Sequence, residues 1–339
     1  MTEPSATAPK VRSVRGSVRG VSVQTIGYAV VTCVGFAFPL VITSPQIFTL
    51  LTQATISALL AIGVGFLIRQ NGAVSFGHAL YFGLGAYGVA LAVRHNAFPI
   101  EFALLLALAV PTLLAFGVGL VLVRVQGVAI GMLTLAVAQA FYELVVHWRE
   151  LANGDDGLAF SLPSHVFGAP AAWIQNPANM FVICWLALML VMAVLSTLAR
   201  SHFGTLTLAI RDNEERARFI GYATTLPRAL VFALSAAVAA LAGTLFALYN
   251  SFASPEILDW SYSGAALIMA IIGGTRFVWG PAIGAAIYYF FKDAAGDFTE
   301  HWPAIVGLML VIVTVLLPRG ISGAFHALIN YRSTPRSHS

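Results

Sequence analysis

Glu143 is the one acid that falls well inside a long apolar run. A carboxylate within a membrane span is costly and usually faces a cavity, a partner or a proton path. It could meet a substrate ammonium, carry a proton, or serve structure near the outer end of its helix. Gln139 and Tyr142 are close enough in sequence to line the same path. A second set comprises Ser75, Gly77, His78 and Tyr81, beside glycines at 72 and 77. A helix broken between those glycines would offer backbone groups to a substrate, with His78 as a further hydrogen-bonding group. The competing reading is helix packing, with His78 in a structural hydrogen bond. Ala79, Gly83, Ala86 and Ala90 form a small-residue stripe that lets another helix approach, and Gly280 with Gly284 forms a GxxxG pair of the same kind.

A third set lies in the polar stretch 200–226. Leu206, Ile210 and Ala217 fall near one helical face, and Arg211, Glu215 and Arg218 on another. Arg211 with Glu215, and Glu214 with Arg218, are i,i+4 pairs that support a helix. Gly221 is a helix stop, and Pro227 can open the next span. Such an amphipathic helix can lie on lipid, dock in a partner's groove, or simply connect two spans. No nucleophile elbow, Walker A sequence or zinc-ligand spacing occurs, so neither enzyme chemistry nor ATP binding by this chain is indicated.

The elements that position these residues are membrane spans. Of 339 residues, 59% are hydrophobic and 9% charged, against roughly 25% charged in soluble domains. Water-facing surface needs charge, and a bilayer does not. Apolar runs occur at 27–44, 46–68, 79–93, 102–123, 128–147, 179–199, 227–250, 262–273, 281–291 and 303–317. Those at 79–93, 262–273 and 281–291 are short for a span of about 20 residues. The fold class is therefore an all-α polytopic bundle of eight to ten transmembrane helices, short runs being either blurred spans or half-helices. Cys33 and Cys184 sit in apolar runs and suggest neither a disulfide nor a metal site.

With the N-terminus inside, Arg69, Arg124, Arg200, Arg211, Arg216, Arg218, Arg228, Arg276 and Arg319 fall on inner loops. Only Arg94, Arg149 and Lys292 fall outside. Positive residues favour the cytoplasmic side, so this orientation is expected. The net charge of +4 is spread between apolar runs, which argues against nucleic acid. The expected organisation is a basic disordered cytoplasmic tail at 1–25, a permease domain at 26–323, and a polar cytoplasmic tail at 324–339. Within the domain, 149–178 is an outer loop and 200–226 an inner one.

Glu215-x-Ala217-x-x-x-Gly221 resembles the core of the coupling motif of ABC importer permeases, with arginine at 216 in place of the usual alanine. The run Gly72–Tyr87, Leu133–Ala136, Asn153–Leu158, Ser254–Glu256, Gly273–Pro281 and Pro318–Gly320 are, in that order, similar to blocks of the LivM-type branched-chain amino acid permeases. The first 25 residues show no such likeness. The resemblance implies a heterodimer with a LivH-like permease, two ATPase subunits that supply ATP and Mg, and a periplasmic substrate-binding protein. The setting it implies is a bacterial inner membrane. Coupling to the ATPase would then fall to Phe203, Gly204, Arg211, Glu214, Glu215, Ala217 and Gly221. The matching family position often carries an acid where this chain has Gln139. Related permeases take urea, amides or small aromatic and carboxylic acids. From the residues alone, a self-sufficient secondary transporter is the rival, with Glu143 as its candidate ion site.

Overall fold

The computed structural model describes residues 30–39, 44–95, 99–122, 124–125, 127–298, 301–317 and 320–324. The expected tails, apart from Ala324, lie outside the described residues, as does Arg319. Every apolar run is matched by a helix. The first, α1 (Val30–Pro39), is short and forms a unit apart from the remainder. Then come α2 (Pro45–Asn71), α3 (His78–Arg94), α4 (Ile100–Leu122) and α5 (Val128–His147). The outer loop holds α6 (Arg149–Ala152), β1 (Leu158–Ala159), β2 (His165–Val166), β3 (Ala169–Pro170) and α7 (Ala171–Ile174). Next are α8 (Pro177–Arg200), α9 (His202–Asp212), α10 (Glu214–Phe219), α11 (Thr225–Asn250) and β4 (Phe252–Ala253). Last come α12 (Trp260–Gly273), α13 (Gly280–Phe298) and α14 (Trp302–Leu316).

Among the described residues, six helices are long and apolar enough to cross a membrane by length and composition. Local chemistry fixes their ends. Pro45 opens α2 at a position that needs no N–H, and Gly72 closes it in the left-handed region at φ 66°. Asn176 caps α8 by accepting from the Ala178 N–H.

Two helices form the centre. In α2, 78% of the most apolar window is buried within the protein, and in α11 72%, against 22% in α5. Small residues make the central contact possible. A Cβ on Gly243 of α11 would strike the backbone of Phe82 in α3, and one on Gly85 would strike Ala240. The expected stripe does pack, since Ala79, Ala86 and Ala90 are fully buried, but the closest backbone approach uses Gly85 and Gly243. At the other crossing, α12 on α13, a Cβ on Gly284 would meet Met269 and Gly273. The expected GxxxG face is therefore a helix contact.

The loops sort by end. Arg211 reaches Arg69 O, and Asn71 reaches Arg228 O, so residues 69–71 and the 200–228 region share one end. At the opposite end, Gln53 bonds Asn250, Tyr249 bonds Thr49, Phe160 N bonds Ser251 O and Phe167 N bonds Glu101.

Two of the three short runs have a physical reason, and the third, 281–291, lies within the 19-residue α13. The 17 residues of α3 rise roughly 26 Å and the 14 of α12 roughly 21 Å, short of a core of about 30 Å. Each is preceded by chain that is not α-helical: the irregular segment 72–77 before α3, and β4 with a 3-10 turn at Pro255–Leu258 before α12. His78 bonds Ser235, which lies roughly 15 Å inside α11. Ala79 N donates to Ser263 Oγ, in the first turn of α12. The N-terminal turns of α3 and α12 thus meet deep in the bundle. Non-helical backbone at that depth is tolerated where it is enclosed by protein, as at the buried Ser75 and Gly77. Here Phe76 N donates to Thr134 Oγ1 of α5, and Gly77 N to Ser75 Oγ.

Candidate functional site: a transport path and a coupling loop

The expected path residues fall into two places. Ser75, Gly77, His78 and Tyr81 lie in the packed interior. His78 has no exposed surface, Ser75 is 1% exposed and Tyr81 2%. Ser235 Oγ donates its only proton to Gly63 O at 2.7 Å, so at 2.6 Å it accepts from His78 Nε2–H. The other nitrogen, Nδ1, lies 3.0 Å from the Ser75 hydroxyl, so both ring nitrogens are engaged. It holds the irregular 72–77 segment against α2 and α11. The rings of Tyr81 and Phe232 meet edge to face at 5.8 Å beside it. Gly77 lies against Thr134 of α5, where a Cβ would come within 2.7 Å of a backbone oxygen.

This clasp makes a prediction. His78→Ala removes two hydrogen bonds and opens a cavity, and is expected to cost about 2–4 kcal/mol. The thermal midpoint of the purified protein in detergent should fall by several degrees. An unchanged midpoint would leave the clasp without a stabilising role.

Gln139, Tyr142 and Glu143 lie together near the opposite end of α5. Gln139 Nε2 donates to Glu143 Oε1 at 3.2 Å, and His147 Nδ1 stands 3.5 Å from Oε2. Glu143 is half exposed at 52%. Carboxylates of Asp259, Asp155, Glu143 and Glu256 all lie close enough to act electrostatically on Tyr142. The Asn153–Gly157 turn carries Asp155, one of these carboxylates. Asn153 takes φ 63°, and its amide donates to Gly157 O. Strand β1 then pairs antiparallel with β4, tying the loop to the segment before α12. Among the described residues, no group of three His, Cys, Asp or Glu side chains is placed to hold a metal ion.

The 200–226 loop departs from expectation. It is two helices, because the backbone turns extended at Asn213 (φ −158°, ψ 97°). Asn213 caps the second helix by accepting from Arg216 N at 2.8 Å. This break removes the expected Arg211–Glu215 pair. Arg211 instead contacts Asp212 at 2.8 Å and Arg69 O at 2.7 Å. The Glu214–Arg218 pair forms, at 2.6 Å. Gly221, at φ 95°, ends α10 with Tyr222 N bonded back to Ala217 O, the reversal that glycine permits.

Ala217 is buried against the bundle and Glu215 is exposed. Phe203 is half-buried. Gly204 allows the tight return from α8, since a Cβ there would lie 2.5 Å from the Ala199 backbone. The tip is apolar and open: Phe219 is 95% exposed, with Ile220 and Tyr222 also exposed. Sequence reasoning missed the residues that anchor this loop, namely Gln70, Asn71, Thr207, Thr224 and Arg228. Thr207 bonds Gln70 at 3.0 Å, and Arg228 pairs with Glu214 at 2.7 Å.

A family profile described as "Branched-chain amino acid transport system / permease component" matches residues 46–316. The high-affinity branched-chain amino acid transport system permease protein LivM of Salmonella typhimurium is 24% identical over 290 residues, 80% of this chain and 68% of that protein. LivH of the same organism is 23% identical over 309 residues, 82% of this chain and 94% of that protein. The ribose import permease protein RbsC of Haemophilus influenzae is 25% identical over 287 residues, 80% and 84% of the two chains. No solved structure gives a significant match. The profile spans α2 to α14, including the clasp, the carboxylates beside Tyr142 and the two-helix loop, and the chain accordingly belongs to the branched-chain amino acid permease family as a membrane-spanning subunit of an ABC importer.

Proposed function

We propose that this subunit forms one half of a path for branched-chain or related amino acids and is driven by ATPases docked on the 200–226 loop. The observation that carries the reading is the loop tip. A solvent-exposed Phe219–Ile220 pair on a short helix between two spans is an unfilled apolar anchor, and buried aromatic anchors dominate most interfaces. The partners are a LivH-like permease, two ATPase subunits that bind ATP and Mg, and a binding protein at the acidic mouth. The chain itself needs no cofactor and performs no chemistry. The 200–226 end is cytoplasmic, in a bacterial inner membrane.

Relatives of similar identity are named for amino acids and for ribose, so identity does not choose the substrate. The carboxylates around Tyr142 favour a substrate bearing an ammonium over a neutral sugar. Glu143, exposed on α5, would meet that ammonium at the entrance, and Gln139 would line the wall beneath it. Ser75, Gly77, His78 and Tyr81 would shape the path from within, holding the turn before α3, rather than touch the substrate. Glu143→Gln is expected to raise the KM for uptake roughly tenfold, the value of about 1.4 kcal/mol of lost charge attraction, with assembly unchanged.

The test of the whole reading is purification of the tagged chain from cells that also express its partner subunits. An ATPase should co-purify, and uptake into proteoliposomes should require ATP and the binding protein. Ion-driven uptake by the chain alone would instead make it a secondary transporter. For orientation, cysteines at Ser201 and Ser161, in a background lacking Cys33 and Cys184, are expected to react with an impermeant thiol reagent on intact cells only at 161.

A further inference from the structure

The two helices of the loop are fastened to different spans. On α9, Thr207 bonds Gln70 and Arg211 bonds Arg69 O, both at the end of α2. On α10, Glu214 bonds Arg228 and Thr224, at the start of α11. Arg228 is 7% exposed and the Glu214 side chain 11%. Glu214 therefore points into the bundle, away from any docked subunit. The guanidinium is bound to the carboxylate, while the Arg228 carbonyl accepts from Asn71, so the strut continues into the last residue of α2. Between the fastenings lies a cavity of about 250 Å³, bordered by Asn71, Ala73, Ile210, Asn213 and Glu214. Ala73 belongs to the irregular chain that leads to His78.

A rigid loop would need one helix and one fastening. Here a break at Asn213 separates two helices, each with its own polar fastening, and a void beside the break gives them room. We infer that Glu214 and Arg228 are positioning residues that pass movement of α10 to α11 and the 72–77 segment, converting ATPase closure into opening of the path. The inference rests on the proposed docking of ATPase subunits on this loop. Glu214 acts as an internal lever, and contact with the ATPase falls to the exposed Glu215, Phe219 and Ile220.

The experiment uses the reconstituted importer and measures substrate taken up per ATP hydrolysed, normalised to assembled complex. Glu214→Gln and Arg228→Met are expected to lower that ratio at least tenfold while the ATPase subunit stays bound and hydrolyses ATP. Arg228→Lys, which keeps the charge, should recover much of it. Thr207→Val, which cuts the fastening to α2 without touching the ion pair, should also lower the ratio. If the variants lose only assembled complex, and the remainder transports at the wild-type ratio, the pair is a folding contact and the inference is overturned. A normal ratio in all of them overturns it equally. Failure of wild-type chain to retain an ATPase would instead overturn the docking reading itself.

Discussion

Replacing Gly243 by leucine is expected to abolish recovery of folded protein. The Cβ of any residue at 243 would press on the Phe82 carbonyl, with its carbon at 2.7 Å and Cα at 3.0 Å. These are backbone atoms in a helix and cannot swing aside. The reciprocal contact of Gly85 with Ala240 leaves α3 no room to slide. Overpacking of a well-packed core costs about 1–3 kcal/mol and occasionally more. Here even Gly243→Ala is expected at or beyond the upper end of that range. Phe82 also packs on Phe246 at 5.4 Å and Tyr262 at 5.0 Å, so displacing α3 disturbs α12 as well. The measurement is the yield of monodisperse protein on size exclusion in detergent, with the thermal midpoint of what is recovered. Gly264→Ala is the control. A Cβ there meets nothing within 4 Å, and alanine is the better helix former by about 1 kcal/mol. Normal yield for Gly243→Leu would refute the packing argument for the α3–α11 contact.

Phe219→Asp is expected to strip the ATPase subunit from an otherwise folded permease. At 95% exposed, Phe219 contributes almost nothing to the fold of this chain. In a docked complex it would be buried, and anchors of this kind are worth about 2 kcal/mol or more. An aspartate would add the cost of a desolvated charge. The expected fall in affinity is roughly 30-fold or greater. Pull-down with tagged permease should recover little ATPase, while thermal stability stays at the wild-type value. Glu143→Gln, at the opposite end, should retain the ATPase fully. A docked complex that tolerated Phe219→Asp would remove the loop tip from the interface.

Much of the architecture was readable from local pattern. Each apolar run is a helix, and the short runs at 79–93 and 262–273 are short because α3 and α12 begin inside the bundle. The chain before them was unreadable as buried structure, since its enclosure depends on Thr134, Ser235 and Ser263, far away in sequence. The same limit hid Arg228. In sequence it is one more positive residue on an inner loop, and only the fold brings it to Glu214. The break at Asn213 did carry a local signal, an asparagine followed by two acids in a first helical turn. Helical periodicity across 203–221 masked it, because Ile210 and Ala217 are buried on both sides of the break. His78 illustrates a different limit. Residue type cannot separate a ligand from a clasp, whereas the contacts with Ser235 and Ser75 engage both its nitrogens within the protein.

The brevity of α3 also bears on how the chain is made. A 17-residue segment entered through six irregular residues is a weak signal for insertion, and its tight contacts are with α11 rather than with α2. At roughly 5–20 residues per second, α11 leaves the ribosome on the order of ten seconds after α3. Through that interval α4 already covers Gly88, where a Cβ would lie 3.1 Å from Ala107 Cα, but the Gly85 face that α11 later fills is open to any helix nearby. Biogenesis of this subunit should therefore depend on whatever shelters half-length segments at the insertion site, and truncation before residue 225 should leave α3 accessible to proteases that spare it in the finished protein.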